Sequence, residues 1–463
     1  MATTRFGRLI QQTLDVFKGE TPFHKVITNF TKIFSGQIMV VGLALLALMV
    51  NTRALGPAMF GVLVAIQAVC ELVAKIAAFQ TWQATSRYGA QAMEREDGRA
   101  FMKYFRFGLL LDTCAALAAT LISILTFYII NQVSGEESEY LVPSYIYAVT
   151  VITAGTGAAI GILRVTDKFG INIGINVGRA FLLLMAALAL DYYEQPLVIY
   201  IYVFAAIMAV TNLTLLVSGI IRAGQVARRL KEDGPASNYD RSGFLRFAMG
   251  TSVASTMNAF RQRGELLLIS VLLGDAATGL YGVAYKTASI FARFAEAGRQ
   301  SVYPEFAKLI TGGQSREARR IAVKATRTSF YVAAPLFLII VFFGATVLTF
   351  ISGPEFAAAH PNLIWLSTST LAYTLTFGLG PYVQIGFGSG RYLQLVGLAF
   401  AMFLIGAVAG PLLFQEAGAG MGAGFFGLAI VALLYWQIYA VQPEKVDEMN
   451  LGSEPKPLVQ EGD

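Results

Sequence analysis

Twelve apolar runs, each long enough to cross a lipid bilayer, follow one another along the 463 residues of this sequence. A membrane-spanning α-helix needs about 20 mostly apolar residues, and only helices or closed barrels satisfy every backbone polar group inside lipid. The runs therefore predict an all-α polytopic membrane protein with about twelve transmembrane helices. They lie at 33–52, 58–82, 105–131, 143–163, 171–190, 196–221, 248–273, 276–299, 328–350, 362–385, 392–414 and 420–440.

The charge content supports this class of protein and argues against a soluble one. Only 14% of the residues are charged, whereas soluble domains carry about 25%. A formal net charge of +6 can indicate nucleic-acid binding, but here the basic residues lie in short loops between apolar runs. Membrane orientation explains such loops, so we expect membrane lipids around the chain and no nucleic-acid partner.

The distribution of lysine and arginine predicts the orientation, because cytoplasmic loops carry the excess of these residues. With a cytoplasmic N-terminus, the outer loops contain Arg53 and otherwise acids such as Asp191, Glu194 and Glu355. We therefore predict a multi-pass protein of the bacterial inner membrane with both termini cytoplasmic. The basic residues of the inner loops are Arg87, Arg95, Arg99, Lys103, Arg106, Arg164, Lys168, Arg222, Arg228, Arg229, Lys231, Arg241, Arg246, Lys308, Arg316, Arg319, Arg320, Lys324, Arg327 and Arg391.

A turn-rich, charged loop at the centre of the chain divides the twelve runs into two sets of six. A short echo suggests parallel repeats: Leu55-Gly56 precedes Phe60-Gly61-Val62, and Leu273-Gly274 precedes Tyr281-Gly282-Val283. The predicted divisions are a cytoplasmic amphipathic leader at 1–29, an N-terminal six-helix bundle at 30–221, a cytoplasmic linker at 222–247, a C-terminal six-helix bundle at 248–440 and a cytoplasmic tail at 441–463.

Two glycine pairs within the N-terminal set have the small-xxx-small spacing that permits close helix packing. They are Gly157/Gly161 and Gly174/Gly178. The spacing therefore allows close helix approach at both pairs.

The sequence contains none of the motifs of common enzymatic chemistry. It lacks the GxxxxGK[ST], HExxH, CxxC and GxSxG patterns, and its longest outer loop, about 132–142, has no room for a catalytic domain. Cys70 and Cys114 lie in apolar runs, and His24 and His360 stand apart. We therefore expect a transporter with no catalytic residue, metal or cofactor.

Charged residues inside the runs are candidates for a transport site, because a charge at bilayer depth costs at least ~2.5–3.5 kcal/mol on insertion scales. The substrate-binding candidates are Lys75, Arg179, Arg261, Arg263 and Lys286, and the candidates for ion coupling are Glu71, Glu265 and Asp112. Cations outnumber acids in this set, which favours an anionic substrate such as a phosphate or diphosphate. An exporter of drugs or metal cations would need the reverse.

Two structural alternatives stay open for these charges. Glu71 and Lys75 have the i,i+4 spacing of a helical ion pair and would then only neutralise each other. Arg261 and Glu265 have the same spacing, so Arg261 could serve as a packing partner instead of an anion ligand.

Several segments resemble the Wzx-type oligosaccharide flippases of the MOP superfamily, which also contains MATE exporters and the lipid II flippase. They are ALGPAMFGVLVAIQAVCELVA after the first run, GDAATGLYGVAYK at the start of the eighth, Pro304, and FISGPEF at 350–356. The resemblance implies two six-helix bundles around a central cavity with alternating access.

The same resemblance implies that the chain moves an undecaprenyl-diphosphate-linked oligosaccharide from the cytoplasmic to the periplasmic leaflet for surface polysaccharide or lipopolysaccharide assembly. A polysaccharide polymerase or glycosyltransferases would be further partners. Two alternatives remain at this point. One is a MATE-like, ion-coupled exporter of small organic cations, and the other is a membrane enzyme of polysaccharide assembly.

Overall fold

A computed structural model describes residues 22–134, 139–230 and 239–451, and these residues form fourteen α-helices. The N-terminal half contains α1 (Pro22–Ala77), α2 (Thr81–Glu94), α3 (Gly98–Ser134), α4 (Leu141–Thr150), α5 (Gly157–Val165), α6 (Phe169–Tyr192) and α7 (Leu197–Ala227). The C-terminal half contains α8 (Arg241–Leu273), α9 (Asp275–Thr311), α10 (Ser315–Ser352), α11 (His360–Gly386), α12 (Gly388–Phe414), α13 (Met421–Ala440) and α14 (Pro443–Leu451). The all-α prediction is confirmed, and the amphipathic stretch of the predicted leader lies outside the described residues.

Eight helical segments of the described residues are long and apolar enough to span a membrane, fewer than the twelve runs of the sequence. One of them, Gln37–Ala77, covers most of the first two runs. Helices α8, α9 and α11 cover the seventh, eighth and tenth runs but are not among the eight. For α8 and α9 the reason lies in the charges within the helix, and those charges include half of the eight transport-site candidates.

Gly56 interrupts α1, and its backbone (φ 67°, ψ 177°) lies far from helical values. A straight helix of 56 residues would be ~84 Å long at 1.5 Å per residue, far beyond a hydrocarbon core of about 30 Å. The segments before and after Gly56 are therefore best treated as separate spans. Gly274, between α8 and α9, has nearly the same conformation (φ 84°, ψ −172°). Only glycine adopts this region without strain.

The two halves thus share a glycine turn, which gives the sequence echo a structural basis and corrects its register. Counting from the turns, Gly61 corresponds to Gly279, not to Gly282. A Cβ on Gly61 would collide with the backbone oxygen of Asp275, and a Cβ on Gly279 with the backbone oxygen of Pro57. These reciprocal contacts bring α1 and α9 backbone to backbone across the two halves.

The fourth apolar run is broken, which the sequence analysis did not predict. Helix α4 ends at Thr150, a 3₁₀ turn spans Val151–Ala154, and α5 begins only at Gly157. Glycine packing is tight at this break: a Cβ on Gly157 would collide with the Thr81 hydroxyl, and one on Gly161 with the backbone oxygen of Trp82.

The second glycine pair behaves differently. Gly174 and Gly178 on α6 have no atom within 4 Å of a Cβ placed on either residue. The close approach that the spacing allows occurs at Gly157/Gly161 and not at Gly174/Gly178, because spacing alone does not tell which helix face meets a neighbour.

Three hydrophobic clusters of described residues show how the halves meet. We call the end that carries the Gly56 and Gly274 turns the turn side, and the opposite end, between α7 and α8, the linker side. The largest cluster joins both halves and includes Phe60, Tyr281 and Phe356. Towards the linker side there are two further clusters. One surrounds Phe101 and also includes Phe244 and Ala248 of α8, and the other surrounds Ile310 in the C-terminal half.

The start of α8 crosses from the linker to the N-terminal half. The hydroxyl of Tyr104 accepts a hydrogen bond from the Asp240 N–H at 3.0 Å, and the Tyr104 and Phe244 rings stack with centroids 5.9 Å apart. The Asp240 carboxylate caps the helix by accepting from the Gly243 N–H at 2.7 Å. That bond and one from the Ser242 hydroxyl hold the pKa of the Asp240 carboxyl below its ordinary value. The first turn of α8 therefore packs against α3.

Candidate functional site

An ion pair between the two halves lies at the centre of the candidate site. Glu71 on α1 and Arg263 on α8 are joined by a 2.6 Å contact between Oε2 and Nη2. Their side chains are 28% and 20% exposed, so the pair is partly buried but still reachable. The sequence alternative paired Glu71 with Lys75. In the structure Glu71 instead contacts a cation of the other half.

Three further cations lie within electrostatic reach of the same carboxylate. Glu71 interacts electrostatically with Arg263, Lys75, Arg179 and Lys286. We call these five residues the Glu71 cluster. It draws on α1, α6, α8 and α9, so both halves contribute, and four cations with one carboxylate leave a formal surplus of three positive charges. Charges in such a partly desolvated place interact far more strongly than charges in water.

Aromatic rings and one amide position the cations of the cluster. The Lys286 ammonium lies 4.9 Å from the Phe60 ring centroid, and the Arg263 guanidinium carbon lies 5.4 Å from that of Tyr285. Both distances suit cation–π attraction. Lys75 Nζ donates a long, 3.5 Å hydrogen bond to Gln262 Oε1. Lys75 and Lys286 thus each contact a residue of the opposite half.

Arg263 uses only part of its hydrogen-bonding capacity. Its Nε is buried and has no hydrogen-bond partner among the described residues, while Nη2 contacts Glu71. A guanidinium presents Nε–H and Nη–H as a fork that fits two oxygens of one carboxylate or phosphate. The orphaned Nε–H therefore marks a position where an anion oxygen could bind.

Arg261 and Glu265 belong to a different environment. The Glu265 carboxylate is fully buried and accepts hydrogen bonds from the Tyr281 hydroxyl at 2.7 Å and the Ala423 N–H at 3.0 Å. Ala423 is in the first turn of α13, so Glu265 satisfies a free N–H there. The Arg261 guanidinium lies 4.9 Å from the Phe426 ring, also on α13. Arg261 thus faces the C-terminal bundle.

Asp112 on α3 links two helix breaks of the N-terminal half. Its Oδ1 accepts from the Thr81 hydroxyl at 2.5 Å, and its Oδ2 from the Ala158 N–H at 2.6 Å. Thr81 begins α2 after the break that ends α1, and Ala158 lies in the first turn of α5. The buried carboxylate therefore caps α5 and holds it beside α2.

The structure brings together four of the five predicted cations and separates the fifth, Arg261. Sequence reasoning did not find Phe60, Tyr285 and Gln262, because apolar or neutral residues in an apolar run carry no signal of a charged neighbour on another helix. Among the described residues, no group of three or more His, Cys, Asp or Glu could hold a metal ion.

Solved structures with the same fold define the class of protein. The lipid II flippase MurJ in an inward closed conformation superposes with a TM-score of 0.68 over 90% of this chain and 90% of that one, at 12% identity. An inward-facing multidrug resistance MATE family transporter of the MOP superfamily gives a TM-score of 0.62 over 92% of this chain and 100% of that one, also at 12% identity. The fold is therefore that of the MurJ and MATE transporters.

Sequence comparison then identifies the family. The model of the polysaccharide biosynthesis protein family matches residues 26–310, and the chain belongs to that family. The inner membrane protein YghQ of Escherichia coli K12 is 24% identical over 296 residues, which cover 62% of this chain and 81% of that protein. A probable low-salt glycan biosynthesis flippase, Agl15 of Haloferax volcanii, is 24% identical over 358 residues, 76% of this chain and 71% of that protein.

The chain is a multi-pass inner-membrane protein and a flippase-like transporter of polysaccharide biosynthesis. The predicted membership of the flippase group is confirmed, and so is the prediction that the protein is not an enzyme.

Proposed function

We propose that this protein flips an undecaprenyl-diphosphate-linked oligosaccharide from the cytoplasmic to the periplasmic leaflet, with the Glu71 cluster as the binding site of the diphosphate. The observation that carries this proposal is the Glu71–Arg263 contact between the two halves, with Lys75, Arg179 and Lys286 within electrostatic reach of the same carboxylate. A diphosphate ester carries several anionic oxygens, and arginine and lysine are its preferred partners.

The net positive charge of the Glu71 cluster distinguishes this function from the alternative of a MATE-like cation exporter. A MATE-like exporter of small organic cations needs carboxylates in excess at its binding site. Glu71 is instead outnumbered by Lys75, Arg179, Arg263 and Lys286. The other two candidate carboxylates already accept hydrogen bonds at helix N-termini, Glu265 from Ala423 and Asp112 from Ala158. The charge balance therefore supports an anionic substrate.

The arrangement of the hydrophobic clusters supports alternating access. The halves share one large apolar cluster near the turn side. Towards the linker side there are two separate clusters, of which the N-terminal one includes Phe244 and Ala248 from the start of α8. Such a molecule is closed on the turn side. We propose that the linker side, which carries the basic loops, is cytoplasmic, that both termini are cytoplasmic, and that the chain crosses the membrane twelve times in two six-helix bundles.

Ion coupling is a separate question, for which Glu71, Glu265 and Asp112 are the candidate carboxylates. Glu71 contacts Arg263, whereas the other two accept hydrogen bonds from helix N-termini. We propose that Glu265 and Asp112 act chiefly in holding helices together. Any coupling ion would then act at Glu71.

Complementation of surface polysaccharide export in a strain that lacks this gene tests the proposed function. Arg263→Ala and Arg179→Ala should each reduce export sharply, because a charge-assisted hydrogen bond contributes about 1.5–3 kcal/mol and its loss weakens binding roughly 10- to 100-fold. Arg320→Ala is the matched control, since that side chain is 81% exposed. Normal export with Arg263→Ala present at normal levels in the membrane would contradict the proposal.

A further inference from the structure

We infer that Glu71 is an exchangeable internal ligand of the anion site: it holds Arg263 while the site is empty and releases it to the phosphate oxygens of the substrate. The inference rests on the proposed function. It adds that the site is occupied at rest by a carboxylate of the protein itself, so that an incoming anion must compete with Glu71.

The geometry of Arg263 supports a replaceable partner. A single 2.6 Å contact joins Nη2 to Glu71 Oε2, and Nε has no partner among the described residues. A phosphate bound through Nε–H and Nη2–H together would satisfy the orphaned donor and keep the other bond. The anion would thus gain a contact that Glu71 does not make.

The ion pair is partly exposed to a ligand, which would reach the buried Arg263 Nε once Glu71 has moved aside. The Glu71 side chain is 28% exposed and that of Arg263 is 20% exposed. Glu265, in contrast, is fully buried and accepts two hydrogen bonds. Displacing Glu265 would leave two donors unpaired. Displacing Glu71 exposes one carboxylate that other cations already surround.

Lys75 gives the displaced carboxylate a second partner. It lies one helical turn beyond Glu71 on α1, at the i,i+4 spacing that suits an acid followed by a base. Its present contact, a 3.5 Å bond to Gln262, is weak. On exchange, Glu71 would pass from a cation of the C-terminal half to a cation of its own helix.

The exchange therefore removes a link between the halves at the moment the substrate binds. Glu71–Arg263 joins α1 to α8, whereas Glu71–Lys75 lies within α1. A filled site would no longer carry this ion pair across the two halves. Substrate occupancy and the release of the halves are in this way coupled through one carboxylate.

Binding of inorganic pyrophosphate to the full-length protein in detergent, measured by calorimetry, tests the inference. Glu71→Gln removes the competing charge at nearly constant shape and should tighten binding about tenfold, an effect between that of an exposed ion pair and that of a buried one. Glu71→Ala should tighten it as well and serves as an independent second variant. Arg320→Ala, whose side chain is 81% exposed and lies outside the Glu71 cluster, is the control and should stay within about twofold of the wild type. Each variant is accepted only if it elutes as a single species on gel filtration.

Arg263→Ala separates the inference from the proposed function. If binding depends on Arg263 but neither Glu71→Gln nor Glu71→Ala tightens it, the anion site stands and the exchange is overturned. If Arg263→Ala binds pyrophosphate as the wild type does, or if no form of the protein binds it, the proposed anion site itself is wrong.

Discussion

Two arginines on α8, Arg261 and Arg263, contact different halves of the molecule because they lie on different faces of the helix. They are two residues apart, which places them on nearly opposite faces. Arg263 meets Glu71 of the N-terminal half, whereas Arg261 lies over Phe426 of the C-terminal half. Their depth in the membrane is similar and their chemistry is the same, so the sequence grouped them in one site.

This difference predicts unequal effects in a transport assay. Arg263→Ala should reduce transport roughly 10- to 100-fold, since an anion contact is lost. Arg261→Ala should change transport less than threefold and instead lower thermal stability, because Arg261 packs on α13. The measurements are polysaccharide export and the melting temperature of the purified proteins. Equal loss of transport in both variants at unchanged stability would show that Arg261 also belongs to the anion site.

The ion-pair alternative at Arg261 is tested by a double change. Glu265 accepts hydrogen bonds from Tyr281 and Ala423, so Glu265→Ala should destabilise the protein by leaving two donors unpaired, at about 1–3 kcal/mol each. The variant with both Arg261→Ala and Glu265→Ala should remain as unstable as Glu265→Ala alone. Recovery of the wild-type melting temperature in the double variant would indicate a simple charge-balancing pair.

At the scale of helices, the apolar segments could be predicted from the sequence, but the break within one of these segments could not. Runs of about 20 apolar residues follow from the bilayer thickness, so the helices themselves could be read from the sequence. The break between α4 and α5 could not, because it depends on Asp112 reaching Ala158 from α3. An apolar run that is interrupted inside a bundle keeps the composition of an intact one. In the sequence around the break, the glycines at 155 and 157 were the one local feature that indicated an interrupted helix.

A pair of glycine substitutions tests the packing at that break. Gly157→Ala places a methyl group against the Thr81 hydroxyl and the Asp112 carboxylate, and overpacking of this kind costs about 1–3 kcal/mol. Gly174→Ala on α6 is the matched control, since nothing lies within 4 Å of its Cβ. The melting temperature should fall by several degrees for Gly157→Ala and stay or rise for Gly174→Ala. Equal melting temperatures would mean that the contact at Gly157 relaxes without cost.

At the scale of the whole molecule, two halves with matching glycine turns surround a site to which both contribute. The echo in the sequence hinted at the repeat, but its register came from the structure, where Gly61 and Gly279 make reciprocal contacts. The composition of the site could be predicted in part, because buried charges are few and conspicuous. Their grouping could not, because it depends on how α1, α6, α8 and α9 pack.

The orientation of the whole chain gives a further prediction. Reporter fusions after Gln132 and after Lys231 should report periplasm and cytoplasm respectively, because the basic loops are expected to face the cytoplasm. Each site is fused both to alkaline phosphatase, which is active in the periplasm, and to a fluorescent protein that is fluorescent in the cytoplasm. The two reporters at one site should give opposite results and thereby control each other. The same location for both fusions would contradict the division into two six-span halves.

Translocation in proteoliposomes tests the central claim most directly. A polyprenyl-diphosphate-linked oligosaccharide with a fluorescent sugar is placed in both leaflets, and the label in the outer leaflet is quenched over time. Wild-type protein and Arg320→Ala should make nearly all of the label accessible, whereas Arg263→Ala should leave the inner half protected, as in liposomes without protein. Accessibility in Arg263→Ala equal to that of the wild type, or no translocation by the wild type, would contradict a diphosphate-binding flippase site at the Glu71 cluster.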